Sequence, residues 1–345
     1  MSESKHRAII YGAGRIGMCL GGCLLSSGWT VLFVGRKRLI DEIKEHDNKV
    51  KISDFRGSEM SLDYDNEKFL FCEKLSSDDV KEGDYILITV KRAASEEVAE
   101  ELKALDLPKV NIISFQNGVG NKDIYEKNLP KQNVLTAIFG ANVIKYDDEP
   151  HFRLATTNPA LIEKNDVSDI LYKGLIYGQE HETPYIDCEI RDDMQSIMYG
   201  KLLLNLNNAV NALVGKTLYD ELAARPCRLV LSGCMEEGIA AMKANNIHPG
   251  ALSSLMQPWI ITKILKLPTF LYLITARSSL QVDEDAKSSM WDDLSSGRET
   301  EIDYLNGIII HLGKKANFPT PLNQKVYDLI KKAEANGKSP RYSPE

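Results

Sequence analysis

The first half of the chain alternates short apolar runs with segments of helical spacing. Residues 8–11, 30–34, 85–90, 110–115 and 134–139 are apolar and rich in β-branched or aromatic side chains. Continuous runs, rather than strict alternation, suit strands covered on both faces of a parallel sheet. Residues 18–27 and 95–104 carry helical spacing between them. Such strand–helix alternation predicts a doubly wound α/β domain. From about Asp192 the pattern changes. Helical periodicity covers 194–213, 228–245, 252–265, 269–280, 299–316 and 321–335, with few β-rich runs. The expectation is an α/β domain over 5–192 followed by an all-helical domain over 193–340.

Composition changes this picture little. A length of 345 residues is a prior of two domains at about 150 residues each. With 43% hydrophobic and 26% charged residues, the chain is globular rather than disordered. The net charge of −7 argues against a nucleic-acid binder, which needs a basic face to displace counterions. The N-terminus MSESKHRAII lacks the apolar core of a secretory signal. The longest apolar stretch, 259–276, contains Lys263, Lys266 and Pro268, so it reads as buried helices rather than a membrane span. Cysteines at 19, 23, 72, 188, 227 and 234 form no C-x-x-C pair and no zinc spacing with histidine. They read as small buried hydrophobes in a reducing, cytoplasmic setting, and no metal is expected.

Residues 12–17 read Gly12-Ala13-Gly14-Arg15-Ile16-Gly17, after a strand and opening a helix. That is the context a dinucleotide fingerprint requires. Gly12 makes the tight turn, Gly14 admits a pyrophosphate, and Gly17 lets helix and strand pack closely. The helix N-terminus adds free N–H groups and a positive dipole end. Proteins that bind NAD place a carboxylate at the end of the second strand, to bond the ribose hydroxyl. Here that end reads Gly35-Arg36-Lys37-Arg38, with three cations and no carboxylate. Cationic donors suit a 2′-phosphate, so the reading favours NADPH over NADH. The competing reading is a solvated basic loop.

In the predicted helix over 194–213, Lys201, Asn205 and Asn208 stand at i, i+4 and i+7 and share a face. Leu203, Leu206, Val210 and Leu213 form a separate stripe. A helix apolar on most sides is buried, so these polar groups need partners or a polar cavity. One reading is a site where the ammonium stabilises and protonates the oxygen of a carbonyl being reduced. The asparagines would then orient substrate hydroxyls or a carboxylate. The other reading is a lysine reaching solvent, with asparagines bonded to backbone. Glu301, among Ile302, Leu305 and Ile308 on a predicted helix, suits substrate hydroxyls, but a carboxylate complementing a helix dipole is the plainer account.

Together, GAGRIG at 12–17, ITVKR at 88–92, QNGVG at 116–120, KLLLN at 201–205, SSMWDDL at 288–294 and TEIDYLNG at 300–307 resemble the ketopantoate reductase family. The resemblance spans roughly residues 7–332. It implies a Rossmann domain, a helical domain, and a small 2-oxo acid substrate in the cleft between them. It also implies NADPH-dependent reduction of 2-dehydropantoate to pantoate, a step toward pantothenate and coenzyme A. By similarity, Lys201 is the general acid, Asn205 anchors substrate, Glu301 holds its hydroxyls and Ser289 meets its carboxylate. Lys91 and Asn117 would line the nicotinamide ribose, and Arg36 matches the cation used for the 2′-phosphate. Many members carry an asparagine followed by proline eight residues after the lysine. Here that position is Ala209, asparagines stand at 208 and 211, and Asn208 is the better stand-in on helical phase. The stretch from Lys201 to Glu301 is longer than in compact members. A homodimer remains open. So do a reductase of another 2-oxo acid, an opine-type dehydrogenase and a non-catalytic NADPH-binding sensor.

Overall fold

The apolar runs become the middle of a parallel sheet. In this computed structural model the described residues are 6–147, 149–156, 158–251, 257–275 and 287–343. β1 (Arg7–Tyr11) turns into α1 (Arg15–Ser26), and β2 (Thr30–Val34) into α2 (Lys37–Glu45). β3 (Lys49–Asp54), β4 (Glu59–Asp63) and β5 (Phe69–Cys72) follow, then β6 (Tyr85–Ile88), α3 (Ser95–Ala104), β7 (Asn111–Ser114), α4 (Asn121–Asn128) and β8 (Asn133–Ile138). β9 (Val143–Lys145), β10 (His151–Leu154), β11 (Ala160–Glu163), α5 (Ser168–Ile176), α6 (Gly178–His181) and β12 (Cys188–Arg191) complete this half.

Eight strands pair in the order β12-β11-β8-β7-β6-β1-β2-β5. Only the β11–β8 pair of this sheet is antiparallel among the described residues. Alternate residues feed two cores. Ile10, Phe33, Leu87, Ile113 and Leu135 pack in one, and Ile9, Leu32, Ile86, Ile112 and Val134 in the other. Burial on both faces explains why these strands read as unbroken apolar runs. A second sheet, β4-β3-β10-β9, was not expected from the sequence. It packs on α1, where a Cβ on Gly22 would lie 2.9 Å from Ile52 Cγ1.

The chain divides between Met194 and Gln195 into two compact units. The second holds α7 (Met194–Asn205), α8 (Asn207–Val214), α9 (Leu218–Ala223), α10 (Arg225–Ala244), α11 (Pro258–Leu265), α12 (Thr269–Thr275), α13 (Ser289–Ser295), α14 (Asn306–Lys315) and α15 (Pro321–Ala335). α10 is its central helix, and a Cβ on Gly238 would stand 2.5 Å from Leu203 Cδ2 of α7. Arg228 of α10 is fully buried. Its guanidinium donates to the carbonyls of Leu222 (2.7 Å), Ala223 (3.0 Å), Leu265 (3.1 Å) and Leu267 (3.0 Å), and lies 4.2 Å from the Tyr272 ring centroid. The unsatisfied carbonyls at the ends of α9 and α11 therefore serve as its counter-charge.

Three expectations need correction. The helix over 194–213 breaks at Leu206, whose N–H reaches Leu203 O at 3.4 Å, three residues back. Asn207 and Asn208 follow at once, and asparagine competes with helical hydrogen bonding. The helix over 299–316 is a 3-10 turn at Ile302–Tyr304 and then α14, separated by Leu305 with φ −117° and ψ −94°. Glu301 therefore precedes the helix rather than riding on it. The stretch 259–276 yields α11 and α12, but Trp259, Phe270 and Ile274 are 61%, 65% and 70% exposed, so its outer face is not buried. Residues 252–256 and 276–280 of the expected helices lie outside the described residues. Among the described residues, no helix is long and apolar enough to cross a membrane.

Candidate active site

The glycine loop joins β1 to α1 at the carboxyl ends of the parallel strands. Gly12 adopts φ +116°, and a Cβ there would lie 2.9 Å from Val90 N. The N–H groups of Gly12 and Ala13 both donate to Val34 O at 3.0 Å, tying the turn to the end of β2. Thr89 Oγ1 donates to Gly12 O at 2.6 Å. A Cβ on Gly17 would fall 2.2 Å from Gly12 O, so the helix can sit this close only with glycine there. Nothing lies within 4 Å of a Cβ built on Gly14, which begins α1 without any side-chain cap. An uncapped helix start with space beside Gly14 is what an anion site at a helix N-terminus requires. Arg15 is exposed, and Ala13 and Ile16 are half-buried and pack against the core.

Other expected cofactor residues stand at the ends of neighbouring strands. Arg36 is exposed and begins α2 just past β2. Lys91 follows β6 and Asn117 follows β7, and both are exposed. The sequence reading missed Gln116, which is buried and stitches these two strand ends together. Its Nε2 donates to Ser95 Oγ (2.8 Å), Val90 O (3.2 Å) and Lys91 O (3.3 Å), and its Oε1 accepts from Tyr125 Oη at 3.0 Å. Its signal was a polar residue inside an apolar strand end.

Lys201 is half-buried on α7. Burial pulls its ammonium down to about 8, while the charge of Glu301 acts the other way. The structure therefore brings together the two groups that the sequence placed 100 residues apart. α7 is fixed by backbone packing beside the lysine. A Cβ on Gly200 would stand 1.8 Å from Gly250 O, Gly250 N donates to Ser196 O at 2.8 Å, and Ser196 Oγ donates to His248 O at 2.6 Å. Asn205, one turn on from Lys201, is half-buried. Asn208 lies beyond the break, so the single face expected for all three residues is not continuous.

Ser289 is exposed on the first turn of α13, and its neighbour Ser288 is buried. Ser288 caps α13, its Oγ accepting from Trp291 N at 3.2 Å and donating to Asn208 O at 3.1 Å. Its own N–H donates to Asn211 Oδ1 at 2.9 Å. Asn211 Nδ2 in turn donates to Glu221 Oε2 at 3.0 Å and to Lys216 O at 3.1 Å. Glu221 is fully buried, and that burial raises its carboxyl to about 7 against the hydrogen bonds from Asn211 and Asn207. Helical phase preferred Asn208 over Asn211, and spacing did not single out Glu221.

Two models of one family match the chain: ketopantoate reductase PanE/ApbA over residues 8–161 and its C-terminal region over residues 193–334. The 2-dehydropantoate 2-reductase of Archaeoglobus fulgidus is 23% identical over 339 residues, covering 96% of this chain and 98% of the relative. The PanE/ApbA family ketopantoate reductase of Ralstonia eutropha JMP134 superposes with a TM-score of 0.76 at 22% identity, over 96% of this chain and 99% of that one. A D-mandelate dehydrogenase solved with NADH and anilino(oxo)acetate shares the fold, with a TM-score of 0.72, 19% identity and coverage of 96% and 99%. With both halves matched by the family's own models, the chain belongs to the ketopantoate reductase family of oxidoreductases.

Proposed function

We propose that the protein reduces 2-dehydropantoate to pantoate with NADPH, using Lys201 as the proton donor. The observation that carries this reading is the lysine ammonium held at about 8 between burial and Glu301. A general acid works best with an affinity near the working pH, and a desolvated ammonium stabilises a developing alkoxide strongly. We assign nucleotide binding to the first domain (5–192) and proton transfer to the helical one (193–340).

The glycine loop fits a dinucleotide. The open space over Gly14 and the uncapped start of α1 suit a pyrophosphate. Ala13, Arg15 and Ile16 supply backbone around it. Arg36 would pair the 2′-phosphate, with Lys91 and Asn117 on the nicotinamide ribose side. When bound, NADPH supplies the hydride that reduces the keto carbon. Lys201 Nζ gives its proton to the keto oxygen, becoming a neutral amine that regains a proton from solvent. Glu301 holds the substrate hydroxyl and keeps the lysine protonated. Asn205, Asn208 and Ser289 orient the 2-oxo acid, with Ser289 toward its carboxylate.

A second reading keeps this chemistry on another 2-oxo acid. It is favoured by Ala209, a buried residue where many members carry asparagine. A panel of 2-oxo acids assayed side by side with NADPH and NADH separates the two. Ketopantoate with NADPH is expected to give the highest kcat/KM. Preference for another acid selects the second reading, and tight NADPH binding without turnover of any acid overturns both.

A further inference from the structure

We propose that Glu221 is a positioning residue, a buried carboxylate that holds Asn207 and Asn211 of α8 and through Asn211 seats the start of α13, so that Asn208 and Ser289 are presented together to substrate. The idea rests on the reading of those two residues as substrate contacts.

The chain of contacts is continuous. Glu221 Oε2 accepts from Asn211 Nδ2 at 3.0 Å and from Asn207 Nδ2 at 3.4 Å. With its amide nitrogen committed to Glu221 and Lys216 O, Asn211 can turn only its oxygen toward Ser288 N, at 2.9 Å. Ser288 precedes the first turn of α13, where a backbone N–H has no intrahelical acceptor. The Asn211 oxygen is thus what fixes the entry of α13. Ser288 Oγ closes the loop on the carbonyl of Asn208. One carboxylate therefore sets the orientation of an amide, the amide sets a helix start, and the helix start carries Ser289.

The arrangement is a poor way to gain stability alone. Glu221 and Asn211 both have no exposed surface. Glu221 Oε1 and Asn207 Oδ1 are buried without a hydrogen-bond partner. Apolar residues of the same volume would avoid that cost. A local rule broken in the core, on the helix that follows Lys201 and Asn205, is the expected mark of a function-bearing position. A glutamine keeps an accepting oxygen for Asn211 and Asn207 at nearly the same size and shape, so it is the conservative replacement.

The test compares Glu221→Ala, Glu221→Gln and Asn211→Ala in the full chain. Readouts are thermal unfolding, KM for the 2-oxo acid, NADPH affinity, and hydrogen exchange at the Ser288 amide. We expect Glu221→Ala and Asn211→Ala to raise KM about tenfold or more, because displaced orienting groups are costly far from the chemistry. NADPH affinity should stay at the wild-type value. Protection of the Ser288 amide should fall in both, and Glu221→Gln should restore both readouts. A purely structural carboxylate would lower the unfolding temperature and leave KM and residue 288 alone, and that result overturns the proposal. If Glu221→Ala does not fold, the other two variants decide. An unimpaired Asn211→Ala, or a Glu221→Gln that raises KM like the loss of Asn211, overturns it. Should the wild type turn over no 2-oxo acid, the functional reading falls, and exchange at residue 288 still reports whether Glu221 seats α13.

Discussion

Glu301 raises the proton affinity of Lys201 while burial lowers it further, leaving the ammonium at about 8 instead of 10.5. The proposed reduction needs that ammonium charged. Turnover is therefore expected to hold below about pH 8 and to fall above it. Glu301→Gln removes a charge that raises it, so the falling limb should move to lower pH. Lys201→Ala should cost about 10²–10⁴-fold in kcat. pH–rate profiles of the three proteins check this, and an unmoved limb in Glu301→Gln would break the link between the two residues.

Gly14 and Gly17 should fail in different ways when changed to alanine. Gly17→Ala drives a methyl group into Gly12 O, so it should lower the unfolding temperature and impair folding. Gly14→Ala meets no protein atom within 4 Å and should unfold like the wild type while losing nucleotide affinity. Calorimetry paired with NADPH titration separates the outcomes, and a Gly14→Ala protein with full affinity would remove the pyrophosphate from that loop.

Arg36 is exposed at the end of β2. Its replacement by alanine should weaken NADPH by about 1.5–3 kcal/mol, the range for a charge-assisted hydrogen bond, and leave NADH nearly unchanged. Titration with both nucleotides measures the difference. Equal losses would assign Arg36 a role other than reading the 2′-phosphate.

Glu221 makes stability depend on pH. Its carboxyl stands near 7 when folded and at 4.5 as an ordinary glutamate. Between those values the folded state holds the proton and the unfolded state does not. Its contribution is thus fully present below about 4.5 and is lost as pH rises toward 7, by on the order of 3 kcal/mol. Cys227 and Tyr272 titrate well above this window and do not blur it. Denaturant melts of wild type and Glu221→Gln between pH 4.5 and 8 should diverge over that range.

Arg228 meets four backbone carbonyls and the Thr269 hydroxyl. Arg228→Met leaves those carbonyls without a donor and should destabilise the helical unit by about 3 kcal/mol or more. Arg228→Lys should recover only part, since an ammonium cannot fork to carbonyls on both sides. Urea melts of the two variants give the ranking.

Much of this was legible in the sequence. β2, α3 and α15 run where periodicity places them, because each is a long stripe or a run buried on both sides. The small sheet was hidden because strands such as β4 are half exposed and alternate over only five residues. Glycine spacing revealed the loop because each glycine answers a separate steric demand. That Lys201 and Glu301 serve one substrate was implied by resemblance alone, since no local rule links residues 100 apart, and the action of the carboxylate on the ammonium emerged only from the structure. Glu221 and the role of Asn211 stayed hidden because a buried amide and carboxylate look like surface polar residues until their neighbours are known.

A Cβ on Gly200 would stand 1.8 Å from Gly250 O, and one on Gly250 would stand 2.7 Å from Ser196 Oγ, so the backbone meets there with no room for a side chain at either glycine. Lys201 is the next residue. Its placement is settled when the chain folds, by main chain against main chain, and does not have to be assembled anew at each turnover. If Lys201 is the proton donor proposed above, the entropy of gathering it is spent once in the life of the molecule rather than once per catalytic cycle.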